Sequence, residues 1–175
     1  SLRANNQILG TWDFVDNNSQ VNEDHPHGMF CFSIMAANQP GKLVGTAPKA
    51  SYYLYRTEDV FSETPIEEHN WVVAAERADS AGADIISSSL GYYLYDNPAE
   101  SHTYADMNGD KTLITRGADM AAQKGMIVCN SAGNAGNDPW KYIIAPADGD
   151  SVLAVGAVNK DSVIGSFSSY GPSAD

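Results

Sequence analysis

Short apolar runs alternate along this chain with longer segments whose apolar residues recur every three or four positions, and Gly- and Asn-rich breaks separate them. The stretch from Asn5 to Val15 is mixed, and Asp16 to Pro26 is polar and turn-like. From His27 to Ala37, apolar and small residues (Met29, Phe30, Ile34, Met35, Ala36) predict a helix that Asn38-Gln39-Pro40-Gly41 breaks. The Tyr-rich segment Ala50 to Arg56 predicts a strand. A second helix is expected from Pro65 or Ile66 to about Ala81, because Trp71, Val72, Ala75 and Ala78 keep the 3.6-residue period. Glu67 and Glu68 suit its positive N-terminus, and Gly82 is placed to end it.

Asp84 to Ser89 then reads as a short buried strand, Tyr92 to Asp110 as a loop, and Lys111 to Lys124 as a third helix stopped by Gly125. Met126 to Asn130 and Ser151 to Val158 are two further apolar strands. Strands that follow helices after tight Gly turns imply right-handed crossovers. The expected fold is α/β: three layers, with a mostly parallel sheet between helices on both faces.

At 175 residues the length fits a single domain over 1–175, and 43% hydrophobic with 18% charged residues excludes a disordered or fibrous chain. Ten Lys+Arg against 22 Asp+Glu give a net charge of −12. That balance argues against nucleic acid, whose phosphates would repel it, and against anionic membrane surfaces. No stretch approaches the roughly 20 apolar residues of a membrane span. Two cysteines, Cys31 and Cys129, are too few for a disulfide scaffold, and both are expected to pack rather than to bridge. Neither an initiator Met nor a signal peptide opens the chain, so it reads as one trimmed at both ends.

In open parallel α/β sheets ligands sit beyond the carboxyl ends of the strands. Two such ends stand out: Ser87-Ser88-Ser89-Leu90-Gly91, and Asn130-Ser131-Ala132-Gly133-Asn134-Ala135-Gly136-Asn137. Both are small and polar enough for backbone to approach a ligand, and both also serve as tight strand-to-helix turns. His27 heads an apolar helix, where a cap or packing role competes with one in a cleft. Asp13, Asp16, Asn18, Gln20 and Asn22 offer oxygens at near-alternate positions, which suit either Ca2+ or a solvated polar turn. His25, His27, His69 and His102 have no spacing that makes a strong metal site.

Taken in order, several of these segments resemble the subtilisin-like serine peptidases (subtilases). His27-Gly28 after Trp12–Asn18 resembles the catalytic-histidine segment, and Gly45–Asp59 the Gly-x-Ala-Pro strand that follows it. Gly82–Gly91 resembles the strand into the Ser-Leu-Gly substrate segment, and Val128–Asn134 the oxyanion segment. Ile144–Val158 and Ser166–Pro172 resemble the Pro-Ala and Ser-Phe-Ser-x-x-Gly segments. The resemblance implies a serine endopeptidase acting on extended peptides. His27 would be its general base and acid, and Asn134 its oxyanion donor. Ser89, Leu90 and Gly91 would form one wall of the substrate pocket, with Ala132 and Gly133 opposite. It also implies a structural Ca2+ in the Asp13–Asn22 loop, because the spacing from Asp13 to His27 equals that of relatives binding calcium there. A secreted or periplasmic protein is implied as well. Cys31, four residues after His27, matches a branch of the family with a free cysteine near its histidine.

Nothing before Trp12 matches the family's aspartate segment, and no Gly-Thr-Ser occurs for the nucleophile. The chain therefore reads as the central part of such a domain, inactive alone, its partners being the missing segments or a second copy joined through exposed sheet edges. Met29, Phe30 and Ser33 stand where the family has Thr, His and Gly, and bulk at Met29 is expected to crowd the base. These departures motivate the alternative of a non-catalytic peptide-binding or scaffold relative. A nucleotide-binding domain is the weakest reading, since the Gly133–Gly136 loop lacks G-x-G-x-x-G and a Walker lysine.

Overall fold

The computed structural model describes residues 2, 6–22 and 24–175; Asn5, which opens the first segment read above, lies outside them. The chain divides into two compact units, Ser1–Phe61 and Ser62–Asp175, each described by itself.

The first unit is built on its tyrosines. Ile8–Asp13 (β1) leads to helix His27–Ala36 (α1), the two-residue strands Asn38–Gln39 (β2) and Leu43–Val44 (β3), and Tyr52–Arg56 (β4). The mixed segment at the start is thus strand β1, which pairs in parallel with β4 and sets Thr11 opposite Leu54 and Asp13 opposite Arg56. Pairing fixed this strand where its own alternation did not. Gly10 has no side chain to keep the Tyr53 ring away, and a methyl there would stand 3.2 Å from it. Phe32 of α1 meets the Tyr52 ring edge-on at 4.9 Å, which seats the helix on β4. The predicted break after α1 is a tight antiparallel hairpin of β2 and β3, with Gly41 at φ +81°.

A helix leaves its last carbonyls without intrahelical donors. Here the segment after β3 supplies them: the amides of Gly45, Thr46 and Ala47 donate to Ala37, Ile34 and Met35 at 2.7, 3.0 and 2.8 Å. A side chain at position 45 would put its Cβ 2.3 Å from the Met35 carbonyl oxygen.

The second unit contains Ile66–Ser80 (α2), Ile85–Ser88 (β5), Leu113–Gln123 (α3), Ile127–Ser131 (β6) and Val152–Val155 (β7). The three strands form one parallel sheet in the order β5-β6-β7. Trp71, Ala75 and Ala78 are buried as the helical period predicts, and Val72 is half-buried against Gly117 of α3. Gly82 and Gly125, at φ +77° and +104°, end α2 and α3 in the left-handed region that glycine enters freely. Ile114, Ala118 and Val128 are almost fully buried. A side chain such as Ile114 or Val128 contributes about 1.5–3 kcal/mol from apolar burial.

The architecture is α/β with parallel strands, as expected. The strands themselves are only half-buried, which corrects the reading of β5 and β6 as buried runs. Ser88, Val128 and Asn130 are covered on one face, while Ile85, Ile127, Leu153 and Val155 are 50–57% exposed on the described chain. Apolar residues on both faces of a strand look alike in sequence whichever face is covered.

Replacing Gly45 by Ala should lower stability by about 1–3 kcal/mol, because the added methyl must separate the 45–47 segment from the end of α1. Urea unfolding followed by circular dichroism checks this; an unchanged midpoint would show that the segment gives way freely.

Candidate active site

His27 is the first residue of α1, exposed, and its amide donates to His25 Nδ1 at 3.2 Å. Its Nε2 lies 3.6 Å from Cys31 Sγ, one helical turn on, so the i, i+4 spacing places thiol and imidazole side by side. Both cysteines are free. Among the described residues no carboxylate pairs with His27. Met29 and Phe30 are 61% and 56% exposed.

The loop before His27 is organised by a cation from β4. Arg56 Nη1 lies 2.7 Å from Asp13 Oδ2 and 2.8 Å from Asp16 Oδ2, and Nη2 lies 2.9 Å from Asp24 Oδ2. The other oxygen of buried Asp13 accepts from the amides of Val15 and Asp16 at 2.8 and 3.0 Å. Burial works to raise the Asp13 pKa; the Asp16 amide, Arg56 and the Val15 amide outweigh it and hold the carboxyl below its ordinary 3.8. Asn18 turns its oxygen onto the Gln20 amide at 2.6 Å, and Gln20 and Asn22 are exposed. The five residues expected to hold Ca2+ therefore do not fit that ion as they stand. Both carboxylates already face a guanidinium, and the other three residues offer only amide oxygens, that of Asn18 being turned onto a backbone amide.

In the second unit the two predicted wall segments come together. Asn130 of β6 is buried, and its Nδ2 donates to the Leu90 carbonyl at 2.9 Å, tying the segment after β5 to β6. Ser89 is exposed, Leu90 and Gly91 are half-buried, and Ala132 and Gly133 are buried. The loop after β6 is pinned from behind. Ser169 donates its amide to the Gly133 carbonyl at 2.9 Å, and its Oγ accepts from the Ala135 amide at 3.0 Å. Asn134, between them, is exposed, and no protein group among the described residues accepts from its side chain. A primary amide held by its backbone with its N–H groups free can serve an incoming oxygen.

A buried charge, which in sequence suggests only a helix terminus, organises the segment beyond Gly91. Glu68 of α2 is 3% exposed. His102 Nε2 lies 2.6 Å from Glu68 Oε1, which also accepts from the Tyr95 hydroxyl, while Oε2 accepts from the Ile114 amide at 2.9 Å. A carboxylate only accepts, so His102 carries its proton on Nε2. Burial works to raise the Glu68 pKa; the bonds from His102, Tyr95 and the Ile114 amide outweigh it and hold the acid below its ordinary 4.5. Burial and then Glu68 push the Tyr95 phenol far upward, so it stays a donor. Glu68 thus joins α2, the Tyr92–His102 segment and the start of α3. Two adjacent acids at a helix start look like dipole partners in sequence, and only tertiary packing distinguishes buried Glu68 from a solvated one.

The subtilase family model matches residues 3–175. Thermitase of Thermoactinomyces vulgaris is 32% identical over 174 residues, covering 97% of this chain and 54% of that protein. Subtilisin DY of Bacillus licheniformis is 31% identical over 169 residues, covering 94% and 55%. Among solved structures, the protease domain of PatA superposes with a TM-score of 0.70 at 22% identity, over 95% of this chain and 55% of that one. The epidermin leader peptide processing serine protease of Staphylococcus aureus gives 0.67 at 23%, over 94% and 44%. The chain belongs to the subtilase family, has part of its α/β fold, and spans about half the length of these curated relatives.

Glu68→Gln keeps the shape but removes the charge from three hydrogen bonds, and should cost about 1.5–3 kcal/mol at pH 7. A folded-state pKa below the unfolded one stabilises above the unfolded value and loses that contribution as pH falls through the folded value. The gap between the wild type and Glu68→Gln should therefore close below about pH 4.5; urea midpoints across pH 3–7 measure it. Arg56→Met leaves buried Asp13 facing Asp16 and Asp24 without a cation, at a cost of about 3–5 kcal/mol. A midpoint unmoved by that change would deny the cluster any structural role.

Proposed function

We propose that this chain supplies the histidine, the oxyanion donor and the substrate walls of a serine endopeptidase that cleaves extended polypeptides. The observation carrying this reading is the juxtaposition of Ser89-Leu90-Gly91 with Ala132-Gly133, followed by an unpaired, backbone-anchored Asn134. In the mechanism, His27 takes the proton of the attacking serine and returns it to the leaving amine. Asn134 Nδ2 donates to the carbonyl oxygen as it becomes an oxyanion. Backbone of the 89–91 segment pairs with the substrate as an added strand. Exposure of Met29 and Phe30 supports a histidine left open to a partner rather than crowded by its neighbours.

Membership of the subtilase family supports a serine nucleophile, which lies in no Gly-Thr-Ser of these 175 residues; the chain alone is accordingly proposed to be inactive. We assign charge balance in the 13–24 loop to Arg56, and no step runs through calcium. A secreted or periplasmic location is proposed by analogy with the family. No helix among the described residues is long and apolar enough to cross a membrane. The exposed face of β5, β6 and β7 supports association with further segments of a subtilase domain, or with a second copy.

The protein expressed at full length should react with a fluorophosphonate probe. His27→Ala should abolish labelling and lower kcat by roughly 10⁴–10⁶-fold, and Asn134→Ala should lower it by about 10²–10³-fold. A full-length, folded protein that resists the probe yet binds extended peptides would instead establish the non-catalytic reading.

A further inference from the structure

We infer that Ile144 fills the space between the two walls, so that the peptidase accepts only a small side chain (Gly, Ala or Ser) on the acyl side of the scissile bond. This rests on the reading above and names its substrate class.

The walls are glycines at the points that face this side chain, and the same two carbons lie against both. A Cβ on Gly91 would stand 2.6 Å from Ile144 Cδ1 and 2.7 Å from Cγ1; one on Gly133 would stand 2.9 Å from Cγ1 and 3.0 Å from Cδ1. The ethyl arm of Ile144 therefore spans the gap from wall to wall, and the residue is 7% exposed. Neither wall can retreat: Leu90 is bonded to Asn130, and Gly133 to Ser169.

Nor is the plug on a loose loop. Ile144 donates its amide to the Ala132 carbonyl at 3.3 Å and accepts from the Ala147 amide at 2.8 Å. Its neighbour Ala145 exchanges both backbone bonds with Tyr92, at 2.8 and 3.2 Å. Ile144 is thus stitched to the residue before Gly133, and Ala145 to the residue after Gly91. A β-branched side chain has few χ1 alternatives, so Cγ1 stays between the two glycines while that backbone is held. A large substrate side chain would have to displace it. In an apolar pocket a mismatch of a single methylene discriminates by about 10–200-fold.

The test uses the full-length protein, a peptide library varied at the acyl-side residue with cleavage sites read by mass spectrometry, and kcat/KM for matched Ala, Leu and Phe substrates. The wild type should favour Ala over Phe by at least about 10-fold. Ile144→Ala should shrink or invert that ratio. Ile144→Val, which removes only Cδ1 and keeps the fold should the larger truncation unfold it, should move it part of the way toward Leu. Wild-type cleavage after Leu or Phe as readily as after Ala would overturn the assignment while leaving the peptidase reading intact. An unchanged ratio in both variants, with cleavage retained, would overturn it equally. Absence of both cleavage and fluorophosphonate labelling would overturn the peptidase reading, and this inference with it.

Discussion

A carboxylate withdrawn from water stays ionised only where protein donors replace the water it has lost. Glu68 meets that condition with an imidazole, a phenol and a backbone amide drawn from different parts of the second unit. Each donor is thereby obliged to stay where it is. Tyr95 and His102 fix the two ends of a polar loop, and Tyr92 stacks on Tyr95 with ring centroids 6.3 Å apart. Tyr92 then bonds to Ala145, and the segment carrying Ile144 follows. The segments carrying Gly91 and Ile144 are in this sense positioned by a charge that never touches them.

The first unit solves the inverse problem. There the central charge is a cation, Arg56, and three aspartates, one at the end of β1 and two in the loop after it, surround it. A guanidinium is planar, remains charged and offers several donors in fixed directions. It gathers a loop that also bonds to itself through Asp13 and Asn18, and that loop runs directly into His27. Part of the surplus of acid that marks the composition is used here, with Asp13 buried and Asp16 and Asp24 at the surface.

Legibility followed the range of the interactions. The helices α2 and α3 and their glycine stops were readable because period and termini are local properties. Strand β1 was not, since Gly10 and Thr11 become strand only through pairing with Tyr53 and Leu54. The ordered motifs led to the family, and the segments after β5 and β6 are tied together through Asn130 and Leu90. The roles of Glu68, Arg56 and Ile144 were hidden for one shared reason. An acid at a helix start, a base at a strand end and an isoleucine before Ala-Pro are each unremarkable in sequence. Their importance comes from partners 34, 43 and 53 residues away: His102, Asp13 and Gly91.

The stitching of residues 144 and 145 to both walls is made entirely by main-chain atoms. Main-chain bonds are indifferent to the side chain they carry. A substitution at position 144 can therefore change the room between Gly91 and Gly133 without disturbing the bonds that hold the walls together. Side-chain volume at this position and the main-chain bonds around it are thus separable in this scaffold. A lineage could vary the packing between these two segments through single codon changes at one site, while the frame around it stays under its own, independent selection.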